Sequence, residues 1–265
     1  MAKRPRRDKN RSRRNRGSNE LYGSTATNPH RMHTSPPRRT TTLVGKTEGQ
    51  KRALKALSSH DQVVITGPAG TGKTYMVAGH AALLFMDKKI DKIVLTRPNV
   101  PAGPELGHLP GDMGEKMAPW AAPVRDVLEK FMGRGPVEYA VKSKQIEIIP
   151  LETMRGRSFD NAYIIADEAQ NMTFEQLKML VTRTGTGSKL VIDGDINQSD
   201  IGYDSGLYYL LDVILRQRVP VLHVSLTADD IVRSGLVKAW VKAFNAYDRD
   251  LGQPKYWDRR VVGSA

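Results

Sequence analysis

Eight consecutive residues, Gly67-Pro68-Ala69-Gly70-Thr71-Gly72-Lys73-Thr74, constrain this chain more than any other stretch of its sequence. They match the pattern G-x-x-x-x-G-K-[S/T], a loop whose glycines let backbone N–H groups turn inward around an anion. Such a loop needs a strand before it and a helix after it, because the helix N-terminus adds partial positive charge at the same point. The flanks comply: residues 63–66 are an apolar run of strand length, and residues 74–86 read as helix. Further apolar runs recur at residues 93–96, 146–151, 162–166, 190–192 and 221–226. Most are continuous rather than alternating, as in strands buried on both faces of a parallel sheet. Helix-like segments fall between them at 123–131, 173–184, 205–216 and 235–247. The alternation predicts a three-layer α/β domain with its ligand site at the carboxyl ends of the strands.

The chemistry expected there follows from residue type. Lys73 can reach the β- and γ-phosphates of ATP, and the Thr74 hydroxyl can ligate Mg²⁺. The apolar run at 162–166 ends in Asp167-Glu168. A carboxylate at a strand tip suits Mg²⁺, and the adjacent Glu168 can polarise an attacking water. Read alone, the pair is equally a cap for the next helix. Together with the loop it argues for hydrolysis and against a small-molecule kinase, whose nucleophile is a bound substrate. Asp195 and Gln198 follow the run at 190–192 and can sense the γ-phosphate if that strand neighbours the acidic one; the alternative is an Asx turn. Asp193 is expected to be structural. Thr47 and Gln50 are spaced as a capping box, while a Gln50 amide also suits the edge of adenine. Both readings stay open. Arg183 and Arg233 are candidates for the mobile positive charge that hydrolysis requires, each with a surface ion pair as its alternative. Arg155 and Arg157 are better placed for a nucleic-acid backbone or a neighbouring subunit.

Charge is unevenly spread over the 265 residues, whose net charge is +13. Residues 1–42 hold 12 Lys and Arg against 2 acids and almost no aliphatic side chains. That segment is expected to be a disordered basic tail contacting nucleic-acid phosphates, or else a merely solvating extension. Residues 248–265 read as a polar tail, which leaves 43–247 as the folded domain. Residues 97–116 contain four prolines and four glycines, too many breakers for a plain connection. Cysteine is absent, so disulfides and thiolate metal sites are excluded, and a cytoplasmic setting fits. No apolar run approaches the roughly 18 residues that cross a bilayer.

Several of these stretches together resemble the PhoH family, phosphate-starvation-inducible ATPases related to the N-terminal core of superfamily 1 helicases. The resemblance is carried by residues 95–112, by Met154-Arg155-Gly156-Arg157-Ser158, by Asp167-Glu168-Ala169-Gln170-Asn171, and by residues 182–189 leading into Gly194-Asp195. It covers roughly residues 43–247. It implies a RecA-like P-loop NTPase fold, ATP hydrolysis with Mg²⁺, association with RNA or single-stranded DNA, and assembly into hexameric rings. His108 and Ser234-Gly235 depart from the family pattern, away from the ATPase motifs. The extra nuclease domain of some members, and its activity, are not expected here. A lone RecA-like core is expected to borrow its arginine, Arg183 or Arg233, from a neighbouring subunit. The leading expectation is an oligomeric ATPase that moves or remodels nucleic acid. The alternative is a binding protein whose assembly or affinity ATP switches without moving a strand.

Overall fold

The computed structural model describes residues 41–98 and 113–250. Most of the basic segment, the centre of the Pro/Gly segment with His108, and the chain beyond residue 250 lie outside the described residues, as do the expectations attached to them.

Six apolar runs become six strands: β1 (Gln62–Thr66), β2 (Lys92–Arg97), β3 (Ile146–Pro150), β4 (Ala162–Ala166), β5 (Lys189–Gly194) and β6 (Leu222–Ser225). They form one sheet in the order β3-β2-β4-β5-β1-β6, and every pairing is parallel. β5 therefore lies between the strand that leads into the phosphate loop and the strand that ends in the acidic pair, the RecA-like arrangement. Parallel strands require crossovers, supplied by α2 (Lys73–Met86), by α3 (Met113–Met132) with α4 (Arg134–Lys142), by α5 (Phe174–Val181) and by α6 (Leu207–Arg216), with a short 3₁₀ turn between β3 and β4. α1 (Glu48–Ser59) precedes β1 and α7 (Gly235–Asp250) follows β6.

Alternate strand residues feed two cores. Ile65, Ile93, Tyr163, Ile165 and Val191 pack with Leu57 of α1, Met76 and Val77 of α2 and Leu128 of α3. Val64, Val94, Ile164, Leu190 and Ile192 pack with Leu177 and Leu180 of α5 and Leu207 of α6. Both sheet faces are thus covered, which explains the unbroken apolar runs; all five residues of β4 are buried. Each large side chain buried this way contributes about 1.5–3 kcal/mol. β6 is the exception. As an edge strand it buries only Val224.

Two helices differ from the sequence expectation. α3 begins at Met113, well before residue 123, and runs through Pro119 and Pro123. α4 has no counterpart in the sequence pattern, because Gly133, Gly135 and Pro136 read as loop. It is held by Val137 and Ala140, which are buried in the first core. Among the described residues no helix is long and apolar enough to cross a membrane.

Candidate nucleotide site

The strand tips of β1, β4 and β5 face one cleft of about 440 Å³. β1 ends at Thr66 and α2 starts at Lys73, so the loop between them occupies the corner that its sequence demands. Gly70 (φ +83°) and Gly72 (φ +82°) adopt a backbone conformation that L side chains rarely take. At Gly70 a Cβ would also lie 3.0 Å from Arg233 Cδ, so glycine lets that arginine approach the loop. Thr71 is fully buried and donates its hydroxyl to the Pro68 carbonyl (2.8 Å). The Gly67 N–H donates to the Gly194 carbonyl (3.1 Å), tying the loop to β5. Lys73 folds back, its Nζ donating to the carbonyls of Gly67 (2.5 Å) and Pro68 (3.2 Å). Ala69, Gly70, Gly72, Lys73 and Thr74 line the cleft; Gly67, Pro68 and Thr71 support it from behind.

Across from the loop stand Asp167 and Glu168. The Glu168 N–H donates to Asp167 Oδ1 (3.0 Å). Burial pushes the Asp167 carboxyl above its ordinary range, and the neighbouring Glu168 adds to the effect, while Arg97 and Lys73 oppose it. The Asp167 carboxylate and the Thr74 hydroxyl, which line the same cleft, are oxygen donors of the kind that suits a hard divalent cation. Glu168 itself sits at φ 54° and ψ 41°, a strained setting for a side-chain-bearing residue. Two contacts aim its carboxylate: the Gln170 side-chain amide donates to Oε2, and Arg97 Nη2 lies 3.8 Å from Oε1.

Gln170 joins the two acidic loops. Its Oε1 accepts the Asp195 N–H (3.0 Å), while its amide holds Glu168. Next to it, Asn171 and Asp200 pair reciprocally, the Asn171 amide donating to Asp200 Oδ2 (2.7 Å) and the Asp200 N–H to Asn171 Oδ1 (2.7 Å). The β4 and β5 exits are thereby stapled at fixed separation. Asp195 and Gln198 line the same cleft as Glu168. Asp195 also makes the Asx turn, with Oδ1 accepting the Asn197 N–H (3.1 Å). The two sequence readings of Asp195 are geometrically compatible.

Arg233 lies in the cleft of its own chain, against Gly70. It is carried there by the turn after β6, where Asp230 acts as a clamp. Asp230 Oδ1 accepts from the Thr47 hydroxyl (2.6 Å) and the Gly49 N–H (3.1 Å), and Oδ2 accepts from the Thr227 N–H (2.9 Å). Burial opposes ionisation, but these donors outweigh it and hold the carboxyl below its ordinary range. Arg183 is elsewhere. Its guanidinium donates to the carbonyls of Met179 and Arg157 near the start of β4, away from the cleft. Arg157 is engaged by Glu147 (2.8 Å) and stacks over Phe159, while Arg155 is exposed.

Gln50 also lies behind the cleft rather than on it. Thr47 does accept the Gln50 N–H (3.2 Å), but the return bond of a capping box is not made. Gln50 Oε1 instead accepts from the Lys46 N–H (2.7 Å), and its amide donates to the Thr71 carbonyl (2.9 Å). The side chain buttresses the phosphate loop, since the loop backbone offers a carbonyl that α1 can reach. Arg97, Gln170 and Asp230 are the site residues that sequence reasoning does not single out. Two of them carry a local signal: Gln170 lies two residues past Glu168 on a strand exit, and Asp230 has the capping-box spacing from Thr227.

A parallel sheet with a phosphate loop at one strand tip, an Asp-Glu pair two strands away and a Gly-Asp-x-x-Gln loop between them defines a RecA-like P-loop nucleotide-binding protein. Within that class, the chain belongs to the PhoH family: the family model described as "PhoH-like protein" matches residues 42–245. PhoH-like protein of Bacillus subtilis (strain 168) is 43% identical over 206 residues, 77% of this chain and 63% of that protein. PhoH-like protein of Mycobacterium tuberculosis (strain ATCC 25618 / H37Rv) is 41% identical over 214 residues, 80% of this chain and 60% of that protein. Protein PhoH of Escherichia coli (strain K12) is 39% identical over 212 residues, covering 78% and 60%. The chain thus spans about three fifths of the length of the curated relatives it matches. Among solved structures, the large terminase from a thermophilic bacteriophage is similar with a TM-score of 0.44 and 15% identity, over 77% of this chain and 50% of that one.

Proposed function

We propose that this chain binds ATP with Mg²⁺ in the cleft, hydrolyses it, and couples hydrolysis to RNA or single-stranded DNA binding and remodelling within an oligomeric ring. The observation that carries the reading is the convergence of Lys73, Thr74, Asp167, Glu168, Asp195, Gln198 and Arg233 on one cleft. Incoming phosphates exchange Lys73 from the Gly67 and Pro68 carbonyls onto the β- and γ-oxygens. Thr74 and Asp167 would hold the cation, which would supply neutralisation of the phosphate charge. Glu168 accepts a proton as water attacks the γ-phosphorus and the bond to the β-phosphate oxygen breaks, releasing ADP and phosphate. Asp195 and Gln198 orient the water and γ-phosphate. Gln170 links them to Glu168, so the presence of the γ-phosphate is felt at both strand tips.

Arg233 supplies the stabilising positive charge in cis, because it already borders its own loop. Arg183 is left as a structural residue whose guanidinium caps backbone carbonyls. Oligomerisation is then a matter of nucleic-acid engagement rather than of completing the catalytic site. Support for the polymer partner comes from the family and from the basic segment. The experiment is ATP turnover at low salt with and without single-stranded RNA and DNA. Stimulation by one polymer supports a remodelling enzyme and identifies its substrate. Robust turnover indifferent to both refutes the coupling and leaves an ATP-switched binding protein; absent turnover refutes the hydrolase.

A further inference from the structure

Asp193, expected to be merely structural, occupies a position that its surroundings do not explain. It lies on β5, 1% exposed, and neither carboxylate oxygen has a hydrogen-bond partner among the described residues. A buried carboxylate without a partner is unfavourable unless something else balances it. Its placement indicates what. The β4–β5 ladder pairs Ala166 with Ile192, so Asp167, just past the end of β4, stands level with Asp193, which is still within β5 and pairs with Ile65 of β1. Side chains alternate along a strand, which puts Asp193 on the face of Val191, packed towards α2, the helix that begins with Lys73-Thr74.

The nearby groups able to neutralise Asp193 are engaged elsewhere. Lys73 Nζ is held by the Gly67 and Pro68 carbonyls, and phosphates draw it further towards themselves. The Tyr163 hydroxyl, on the same face, is bonded to His80 Nδ1 (3.2 Å). What remains close to Asp193 is the Asp167 carboxyl on the neighbouring strand, which lines the cleft together with Thr74.

We propose that Asp193 is a second carboxylate supporting the divalent-cation site, standing behind Asp167 and beneath the cleft, and that a bound divalent cation balances its charge. The inference rests on the ATP–Mg²⁺ reading and extends it to a residue outside the recognised motifs. Asp193 does not border the cleft, so it is a positioning group: its charge deepens the potential at the cation and orients Asp167 or a cation-bound water.

The test is binding of ADP to the full chain, by calorimetry, as Mg²⁺ or Mn²⁺ is titrated from a chelated start, with thermal unfolding followed in parallel. For Asp193→Asn the expected result is unchanged ADP affinity without metal, an unchanged or higher melting temperature without metal, and a cation midpoint raised about 10–100-fold, the usual effect of removing a supporting group. Asp193→Thr, which removes the carboxylate with a different shape, should give the same cation shift. A cation midpoint unmoved in both variants, while Asp167→Asn moves it, overturns the inference alone. So does a change in metal-free ADP binding with the cation midpoint preserved, which would make Asp193 a counter-charge for Lys73. Wild-type protein whose ADP binding ignores the cation overturns the nucleotide reading and this inference together.

Discussion

Replacing Asp230 with alanine removes the acceptor shared by donors from two segments about 180 positions apart in sequence. Of the three, the Gly49 N–H is buried and loses its acceptor, whereas the Thr47 hydroxyl and the more exposed Thr227 N–H can turn to water. A buried donor left unsatisfied costs about 1–3 kcal/mol, and each lost bond to a charged acceptor adds about 1 kcal/mol or more. The loss of a negative charge at the α1 N-terminus adds about 0.3–1 kcal/mol. The sum is about 3–5 kcal/mol, or about 10 °C in melting temperature for a domain of this size. Urea denaturation of wild type and variant measures it. The pH dependence carries a sign. Because the folded Asp230 carboxyl lies below its ordinary value, its contribution is complete above about pH 4 and disappears as pH falls further, so the two proteins converge in acid. Nucleotide affinity should fall as well, since the same turn carries Arg233. A variant with the wild-type urea midpoint at neutral pH would refute the clamp.

Three further outcomes follow from the geometry. Burial first, then Lys189 and Lys89, lower the His80 imidazole from 6.5 to about 4, so it is neutral when folded and protonated when unfolded between those values. Stability should therefore drop as pH falls from about 6.5 to 4, and His80→Gln should lack about 2–3 kcal/mol of that drop; parallel slopes in denaturation would contradict the burial. Gln170→Ala frees Glu168 and leaves the Asp195 N–H without its acceptor, about 1–3 kcal/mol, and should lower kcat with little change in ADP affinity; unaltered kcat removes the coupling role. Arg233→Ala should reduce turnover by about 10³-fold or more while Arg183→Ala leaves it near wild type, with the rate per subunit independent of protein concentration; the reverse ranking, or a rate that rises with assembly, would restore an arginine donated in trans.

The parts of this molecule that are legible in its sequence are those governed by short spacing. The strand, Gly67–Thr74 loop and helix form one continuous unit, and the acidic pair ends a strand whose five residues are all buried. The reading of Asp195 and Gln198 depends on β5 lying beside β4, and it does. Where sequence and structure part, tertiary contact decides. Thr47 and Gln50 have the spacing of a capping box, but Gln50 is drawn to Thr71, 21 residues away. Thr173 and Gln176, with the same spacing, do form the full box, Gln176 Oε1 accepting the Thr173 N–H (2.9 Å). Pro123 suggests a helix start, yet α3 runs through it, its buried face held against α2 by Val124 and Leu128. Asp230 reaches Thr47 and Gly49, and Arg97 reaches Glu168, partners that no local pattern could name. Asp193 follows the apolar run at 190–192 and is expected to be structural, and only its buried, unpartnered oxygens set it apart.

The central claim is that this cleft hydrolyses ATP through Glu168. The direct measurement is phosphate release by wild type, Glu168→Gln and Lys73→Ala, with ATP affinity determined for each at saturating Mg²⁺. Glu168→Gln should bind ATP as wild type does and release phosphate about 10²–10⁴-fold more slowly, since only the base is lost. Lys73→Ala should lose both affinity and turnover. Wild-type rates from Glu168→Gln, or undiminished ATP binding by Lys73→Ala, would contradict the assignment of this cleft.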